Sequence, residues 1–448
     1  MNYIIKNAFV VNEGTIQKRD VAIFDDRICL NSIDKVEDAE IIDADGAYLI
    51  PGIIDTHVHF RDAGNGDNSA GDFFTESRAA RAGGVTSVID MPNTSPQTTS
   101  LELLKIKENM AAVKSCVNYG FMLGATNDNI EELLAIPPQR YAAIKLFLGS
   151  STGNMLVANP EKLDFLFQNT RKLIVAHCEE ESVVMANMHN YMLEFQGTVN
   201  ETASLHPKIR NTEACFLSTY KAIERARKYK TPLHIAHISS ATELDLFSNQ
   251  ALGVKHVTAE VTPNHLWFDD RDYEKYGNLI KCNPSIKSNN DRLALWAALY
   301  DDRIDTIATD HAPHPLENKL KPYFDAPSGI PSIQHSLQMM LETFFCDNVA
   351  DADRSELIQT WFPLIVTKMC HNPANLFNIS NRGFVRDGYF ADLVLVRPAK
   401  SGVEVSSESI LYKCGWSPLS GMLFHTVIDK VFVNGSLGDN PMPLCFDK

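Results

Sequence analysis

The chain has 448 residues, 44% of them hydrophobic and 22% charged, which fits a globular enzyme and excludes a disordered or fibrous chain. That length suffices for one large domain plus a smaller module. A net charge of −15 speaks against a nucleic-acid partner, so an anionic substrate would have to meet a local cation, either one arginine or bound metal.

The first fifty residues read as short strands. YIIKNAFVV, DVAIFDDRICL and AEIIDADGAYLI are β-branched, partly alternating, and divided by turn residues such as Glu13-Gly14 and Asp45-Gly46. The tail repeats this character in ADLVLVRP and VIDKVFVNG. Two strand-rich ends around a different middle predict that the termini meet in one small β module. The middle alternates eight apolar β-type runs with helical stretches, as in a parallel sheet with crossover helices. The runs are IPGIIDTHVHF, GVTSVIDMPN, VNYGFMLGA, YAAIKLFLG, RKLIVAHCE, PLHIAHIS, VKHVTAEVT and IDTIATDHA. Between them lie helix candidates such as FFTESRAARAG, LELLKIKENMAAV, TEACFLSTYKAIERARKY and NDRLALWAALY. A doubly wound open sheet shows the same alternation. The position of the polar residues favours a barrel: His57, His59, Asn93, Lys145, His177, His237 and Asp310 all fall near strand ends, where barrel enzymes gather their active sites.

The nine cysteines include no Cys-x-x-Cys pair, which predicts reduced thiols in a cytoplasmic protein. The N-terminal apolar run is too short for a signal peptide, and no apolar stretch is long enough to span a membrane.

In His57-Val58-His59 the two imidazoles are at i and i+2, so a strand points both to one face, where they can share a metal. Taken singly, the other candidates have ordinary readings. His177 and His237 could be hydrogen-bonded core histidines, and Asp310 could cap a helix. Lys145 could snorkel to solvent. Together they supply four imidazoles and a carboxylate, ligand types that suit zinc. Lys145 sits in an apolar strand, where burial lowers an amine pKa and favours capture of CO₂ as a carbamate able to bridge two cations. The carbamate, Asp310 and a bridging hydroxide would offset three of the four charges of two divalent metals.

The run Pro51-Gly52-Ile53-Ile54-Asp55-Thr56-His57-Val58-His59-Phe60-Arg61 resembles the opening of cyclic-amidohydrolase barrels. Arg61, Met91-Pro92-Asn93-Thr94 and Asp310-His311-Ala312-Pro313-His314 resemble the dihydroorotase family in particular. Asn283-Pro284, Asn372-Pro373-Ala374 and Gly388-Tyr389-Phe390-Ala391-Asp392-Leu393 extend the likeness in order along nearly the whole chain. The resemblance implies a (β/α)₈ barrel over residues 51–380 and a β-sandwich from residues 1–50 and 381–448. It implies two zinc ions, one held by His57, His59 and Asp310, the other by His177 and His237, with carboxylated Lys145 between them. Arg61, Asn93 and His314 would hold the substrate carboxylate, and Asn283 would lie near the ring. His265 and His311 are expected to support the site, and His371 to begin a helix.

The implied reaction is reversible cyclisation of N-carbamoyl-L-aspartate to L-dihydroorotate, with Asp310 carrying the proton. A small molecule is thus the expected partner, in a homodimer bound to neither nucleic acid nor membrane. Two features depart from the family pattern. Arg61-Asp62-Ala63-Gly64 stands where Arg-Glu-Pro-Gly is usual, and Ser328-Gly329-Ile330-Pro331-Ser332-Ile333-Gln334 differs from the common loop. The rivals are dihydropyrimidinase (or hydantoinase) and allantoinase, whose substrates lack the exocyclic carboxylate, and a non-catalytic scaffold, which would typically have lost metal ligands.

Overall fold

The alternating ends of the chain pair with each other. In the computed structural model, residues 1–31, 33, 36, 38–62, 69–149, 155–194 and 203–447 are described. Ala63 and Gly64, part of the departure noted after Arg61, lie outside them. Seven strands form one sheet: β1 (Asn2–Asn12), β2 (Thr15–Phe24), β3 (Arg27–Cys29), β4 (Ala39–Asp43), β5 (Tyr48–Pro51), β15 (Leu393–Glu404) and β16 (Leu423–Phe432). The order is β16-β15-β5-β1-β2-β3, with β4 also on β1. A register shift in β1 between Ile5 and Ala8 lets its first half pair with β4 and its second with β5. The β1–β2 turn is made by Glu13 (φ 48°) and Gly14 (φ 78°), the left-handed pair that matches the twist of a tight hairpin. Tyr3, Ile5, Val21, Ile23, Leu49, Leu393 and Phe432 form the core of this sheet.

The middle of the chain builds two parallel arcs. One contains β6 (Ile53–Val58), β7 (Val85–Asp90) and β8 (Asn118–Phe121). The other runs from β9 (Leu123–Gly124) through β10 (Ile144–Phe147), β11 (Ile174–His177), β12 (Leu233–Ile235) and β13 (Val257–Val261) to β14 (Thr306–Ile307). Each sits within one of the eight apolar runs, with β8 and β9 sharing the third. Strands β6, β7, β10 and β11 are buried at every position, as parallel strands covered on both faces must be, whereas β1 alternates. Only Met122 separates β8 from β9, and its amide donates to the Asp90 carbonyl (3.1 Å). Past β14 the chain returns to β6, where the His59 amide donates to the His311 carbonyl (2.8 Å) beside a parallel bridge from Val58 to His311.

The crossover helices start where side chains cap them. Asp72 accepts from the Thr75 amide ahead of helix Phe73–Ala82, and Asn211 from Ala214 ahead of Thr212–Tyr229. Ser288 and Asp291 form a reciprocal capping box for Asn289–Tyr300. Each cap is worth about 1 kcal/mol. The sheet is tied to the parallel strands by a buried polar knot: Arg382 pairs with Asp392, whose carboxylate accepts from Asn118 of β8 (3.1 Å) and from the Asn434 amide (2.8 Å). All nine cysteines are free thiols, and no helix among the described residues is long and apolar enough to cross a membrane.

Candidate metal centre and substrate pocket

Side chains in or just beyond five strands converge on one cavity lined by His57, His59, Lys145, His177, His237 and Asp310. The Nε2 atoms of His57 and His59 stand 3.3 and 3.0 Å from Asp310 Oδ1. Among the described residues these three form a group whose ligand atoms lie within 4.8 Å of one another. His177 Nδ1 and His237 Nε2 face each other at 3.0 Å, and Lys145 Nζ is 3.4 Å from His57 Nε2. Lys145 is fully buried, so it does not snorkel, and burial brings its amine down to about 8. Asp310 caps no helix.

The outer ring nitrogens of three histidines are already committed. His57 Nδ1 pairs with Glu260 Oε1 (2.7 Å), His59 Nδ1 with Asn93 Oδ1 (2.7 Å), and His177 Nε2 with Glu179 Oε2 (3.0 Å). A neutral imidazole that donates from one nitrogen has only a lone pair on the other. The His57 and His59 lone pairs and the Asp310 carboxylate therefore converge as three acceptors, and the His177 lone pair meets His237 beside them. Such a donor set fits a cation. Burial lowers His59 to about 3, lowers His177 and puts His237 far below its ordinary value, which keeps those three rings neutral. Burial would raise Asp310, but positive charge on the His57 and His59 side, supplied by ring protons or by a cation that replaces them, holds it well below the usual carboxylate range. Burial likewise opposes the charge on Glu260, which His57 overcomes, and on Glu179, which Arg210 and then His177 overcome.

The backbone bends to make this possible. Arg61 (φ 67°), His237 (φ 40°) and Asp310 (φ 48°) adopt the left-handed conformation, at a cost of about 1–3 kcal/mol each for residues of this kind. Asp55 supports the turn at Asp310 by accepting from Thr309 Oγ1 (2.6 Å), Thr309 N (3.1 Å) and His57 N (3.2 Å). Burial raises the Asp55 carboxyl to about 6.

Of the residues expected to bind substrate, Arg61, Asn93 and Asn283 line the cavity and His314 lies behind Arg61. An Arg61 guanidinium nitrogen is 3.3 Å from His314 Nε2, which lies 3.0 Å from the Ser328 carbonyl oxygen. Asn283 presents a buried amide oxygen that has no hydrogen-bond partner among the described residues. Asn93 lines the cavity too, yet its side-chain oxygen is engaged with His59, a role not foreseen from sequence. His311 pairs with buried Glu76 (2.8 Å), and its other nitrogen accepts from the Ser332 amide (3.1 Å). His265 bonds Thr262 and the Pro284 carbonyl. His371, expected to begin a helix, instead ends the π-helical turn Thr367–His371 that continues helix Asp351–Val366 into Asn372–Leu376, and it accepts from the Glu13 amide.

Sequence reasoning missed Glu260, Glu179, Arg210 and Asp55. Glu260 carried one usable signal, an acid inside the apolar run VKHVTAEVT. It missed also that the chain between β15 and β16 reaches the cavity wall, where Trp416 Nε1 donates to the His314 carbonyl (2.8 Å).

The model of the amidohydrolase family matches residues 48–438. A dihydroorotase of Methanosphaera stadtmanae is 31% identical over 92% of this chain and 92% of its own. That of Pyrococcus abyssi is 30% identical over 98% and 95%. Among solved structures, L-hydantoinase from Arthrobacter aurescens superposes with a TM-score of 0.88 at 24% identity, covering 99% of both chains. A dihydropyrimidinase from Brevibacillus agri gives 0.83, also at 24% identity, over 99% of this chain and 97% of its own.

Proposed function

The chain belongs to the amidohydrolase family, and from that premise we propose that it is a dihydroorotase, interconverting N-carbamoyl-L-aspartate and L-dihydroorotate. The observation that carries this reading is the pairing of Arg61 with His314 at the edge of a cavity whose floor is a metal-type ligand set. A guanidinium there meets the exocyclic carboxylate that dihydroorotate has and dihydrouracil lacks.

His57, His59 and Asp310 would hold one zinc ion, His177 and His237 a second, with Lys145 as a carbamate between them. Bound metal would polarise the scissile ring carbonyl and lower the pKa of the attacking water. The residues of the chain do the remainder. Glu260, Asn93 and Glu179 hold the ligand imidazoles in the tautomer that presents a lone pair inward. Asp310, held well below the usual carboxylate range, takes a proton from the attacking water and passes it to the departing ring nitrogen. Arg61 and His314 grip the carboxylate, with Asn93 beside them. The buried Asn283 oxygen accepts a hydrogen bond from a ring N–H.

We read the two strand arcs as one closed (β/α)₈ barrel over residues 51–380, and the seven-stranded sheet as a sandwich from residues 1–50 and 381–448. The return of the chain from β14 to β6 supports the first reading. The divided pairing of β1 supports the second.

Hydantoinase activity is the second reading, favoured by the likeness to L-hydantoinase in fold. The test is a panel of L-dihydroorotate, dihydrouracil, hydantoin and allantoin, run on purified protein with its zinc content measured. The proposal requires dihydroorotate to be the preferred substrate. Preference for dihydrouracil or hydantoin replaces it with the second reading.

A further inference from the structure

Behind the cavity lies a pair of buried lysines with no part in the ligand cluster. Lys319 Nζ donates to the carbonyls of Lys281 (3.0 Å), Pro327 (3.0 Å) and Gly329 (2.8 Å). Lys281 Nζ donates to those of Tyr323 (2.7 Å) and Ala326 (2.6 Å). Burial, and then the neighbouring Lys281, push the Lys319 amine well below its ordinary value, so its three carbonyl contacts act as a hydrogen-bonded clamp on the backbone rather than as an ion pair.

The clamp acts on the loop that walls the substrate pocket. Ser328 and Gly329 line the cavity, and the Ser328 carbonyl meets His314, the neighbour of Arg61. The Gly329 amide donates to the Lys281 carbonyl (2.8 Å), the same oxygen that Lys319 binds. Gly329 has φ 142°, and a Cβ there would stand 2.4 Å from the Ala312 carbonyl oxygen and 2.9 Å from the His314 ring. The loop is therefore held against Ala312 and His314 with no slack, and Lys319 is the one side chain that bonds Pro327, Gly329 and the opposing Lys281 backbone together.

We propose that Lys319 is a positioning residue that sets substrate choice. It fixes Ser328-Gly329 against His314, on the side of the pocket where Arg61 would meet the substrate carboxylate, so that the site takes an anionic ring in preference to a neutral one. This inference rests on the dihydroorotase reading and adds to it a residue that touches no substrate.

The test uses the full-length, metal-loaded protein and the variants Lys319→Met and Lys319→Gln, with L-dihydroorotate as substrate and orotate and uracil as anionic and neutral inhibitors. The expected result is a rise in KM for dihydroorotate of about ten- to a hundredfold, with kcat and zinc content little changed. Orotate inhibition should weaken in parallel while uracil inhibition does not, a split that general loosening of the fold would not produce. An unchanged KM overturns the inference, as does an equal loss for orotate and uracil, or a fall in kcat that follows zinc content. Failure of both variants to fold also overturns it, since Lys319 would then serve folding. A wild-type enzyme inactive on dihydroorotate rejects the proposed function itself. Wild-type activity with an unmoved KM in the variants rejects only the role of Lys319.

Discussion

Glu260→Gln isolates one contact that only the structure revealed. Glu260 Oε1 accepts the His57 Nδ1 hydrogen at 2.7 Å, both side chains are buried, and the pair aims His57 Nε2 at the candidate metal position. Glutamine has nearly the same shape and can still accept from Nδ1, so the substitution removes charge without opening a cavity. A hydrogen bond to a charged group is worth about 1.5–3 kcal/mol and a neutral one about 0.5–1.5, so about 1–1.5 kcal/mol should be lost. That corresponds to about a tenfold loss of zinc affinity, at the lower edge of the 10–100-fold range known for partners of ligand histidines. Loss of a negative charge near the cation adds to this, so tenfold is a lower bound. Competition with a chromophoric chelator measures the affinity, and turnover at saturating zinc should recover most of the wild-type rate. Zinc affinity within about twofold of wild type would refute the idea that Glu260 orients His57.

Lys145→Ala should lose most of its metal and activity, with partial rescue by short carboxylic acids that stand in for the carbamate. An unmodified Lys145 in a fully active two-metal enzyme would show that the carbamate is not needed. Arg61→Met should cut dihydroorotate turnover by about ten- to a hundredfold while leaving zinc content intact, because one charge-assisted contact is lost. An equal loss on dihydrouracil would give Arg61 a structural role instead. His425 donates to Glu342 (2.7 Å), which raises its pKa above 6.5 in the folded chain. A raised histidine stabilises fully below its unfolded value, and the contribution disappears as pH rises through the folded value. The melting-temperature advantage of wild type over His425→Gln should therefore shrink as pH rises above the ordinary histidine value of about 6.5, and a constant difference would remove this pair from the pH dependence.

What local rules govern could be read from the chain alone. Alternation placed His57 and His59 on one face, and apolar runs of strand length located the parallel strands, because both depend on neighbours two to six residues apart. Residue chemistry marked Lys145, whose charge does not suit an apolar strand, and it is fully buried in β10. Family likeness pointed to Asn283, which lines the same cavity as the ligand set, and to His314, which lies 3.3 Å from Arg61 at its edge.

Contacts across the fold belong to the tertiary structure. His57 and Glu260 are 203 residues apart, and Asp55 and Thr309 are 254 apart. No spacing rule joins such pairs before the strands assemble. The left-handed turns at His237 and Asp310 were equally hidden, since neither residue type calls for that conformation and only surrounding contacts hold it. Asn93 shows the division most plainly. Sequence supplied an amide able to donate or accept, and packing beside His59 decided that its oxygen faces an imidazole. A side chain carries its donors and acceptors with it, but which of them is used depends on what the folded chain brings within 3 Å.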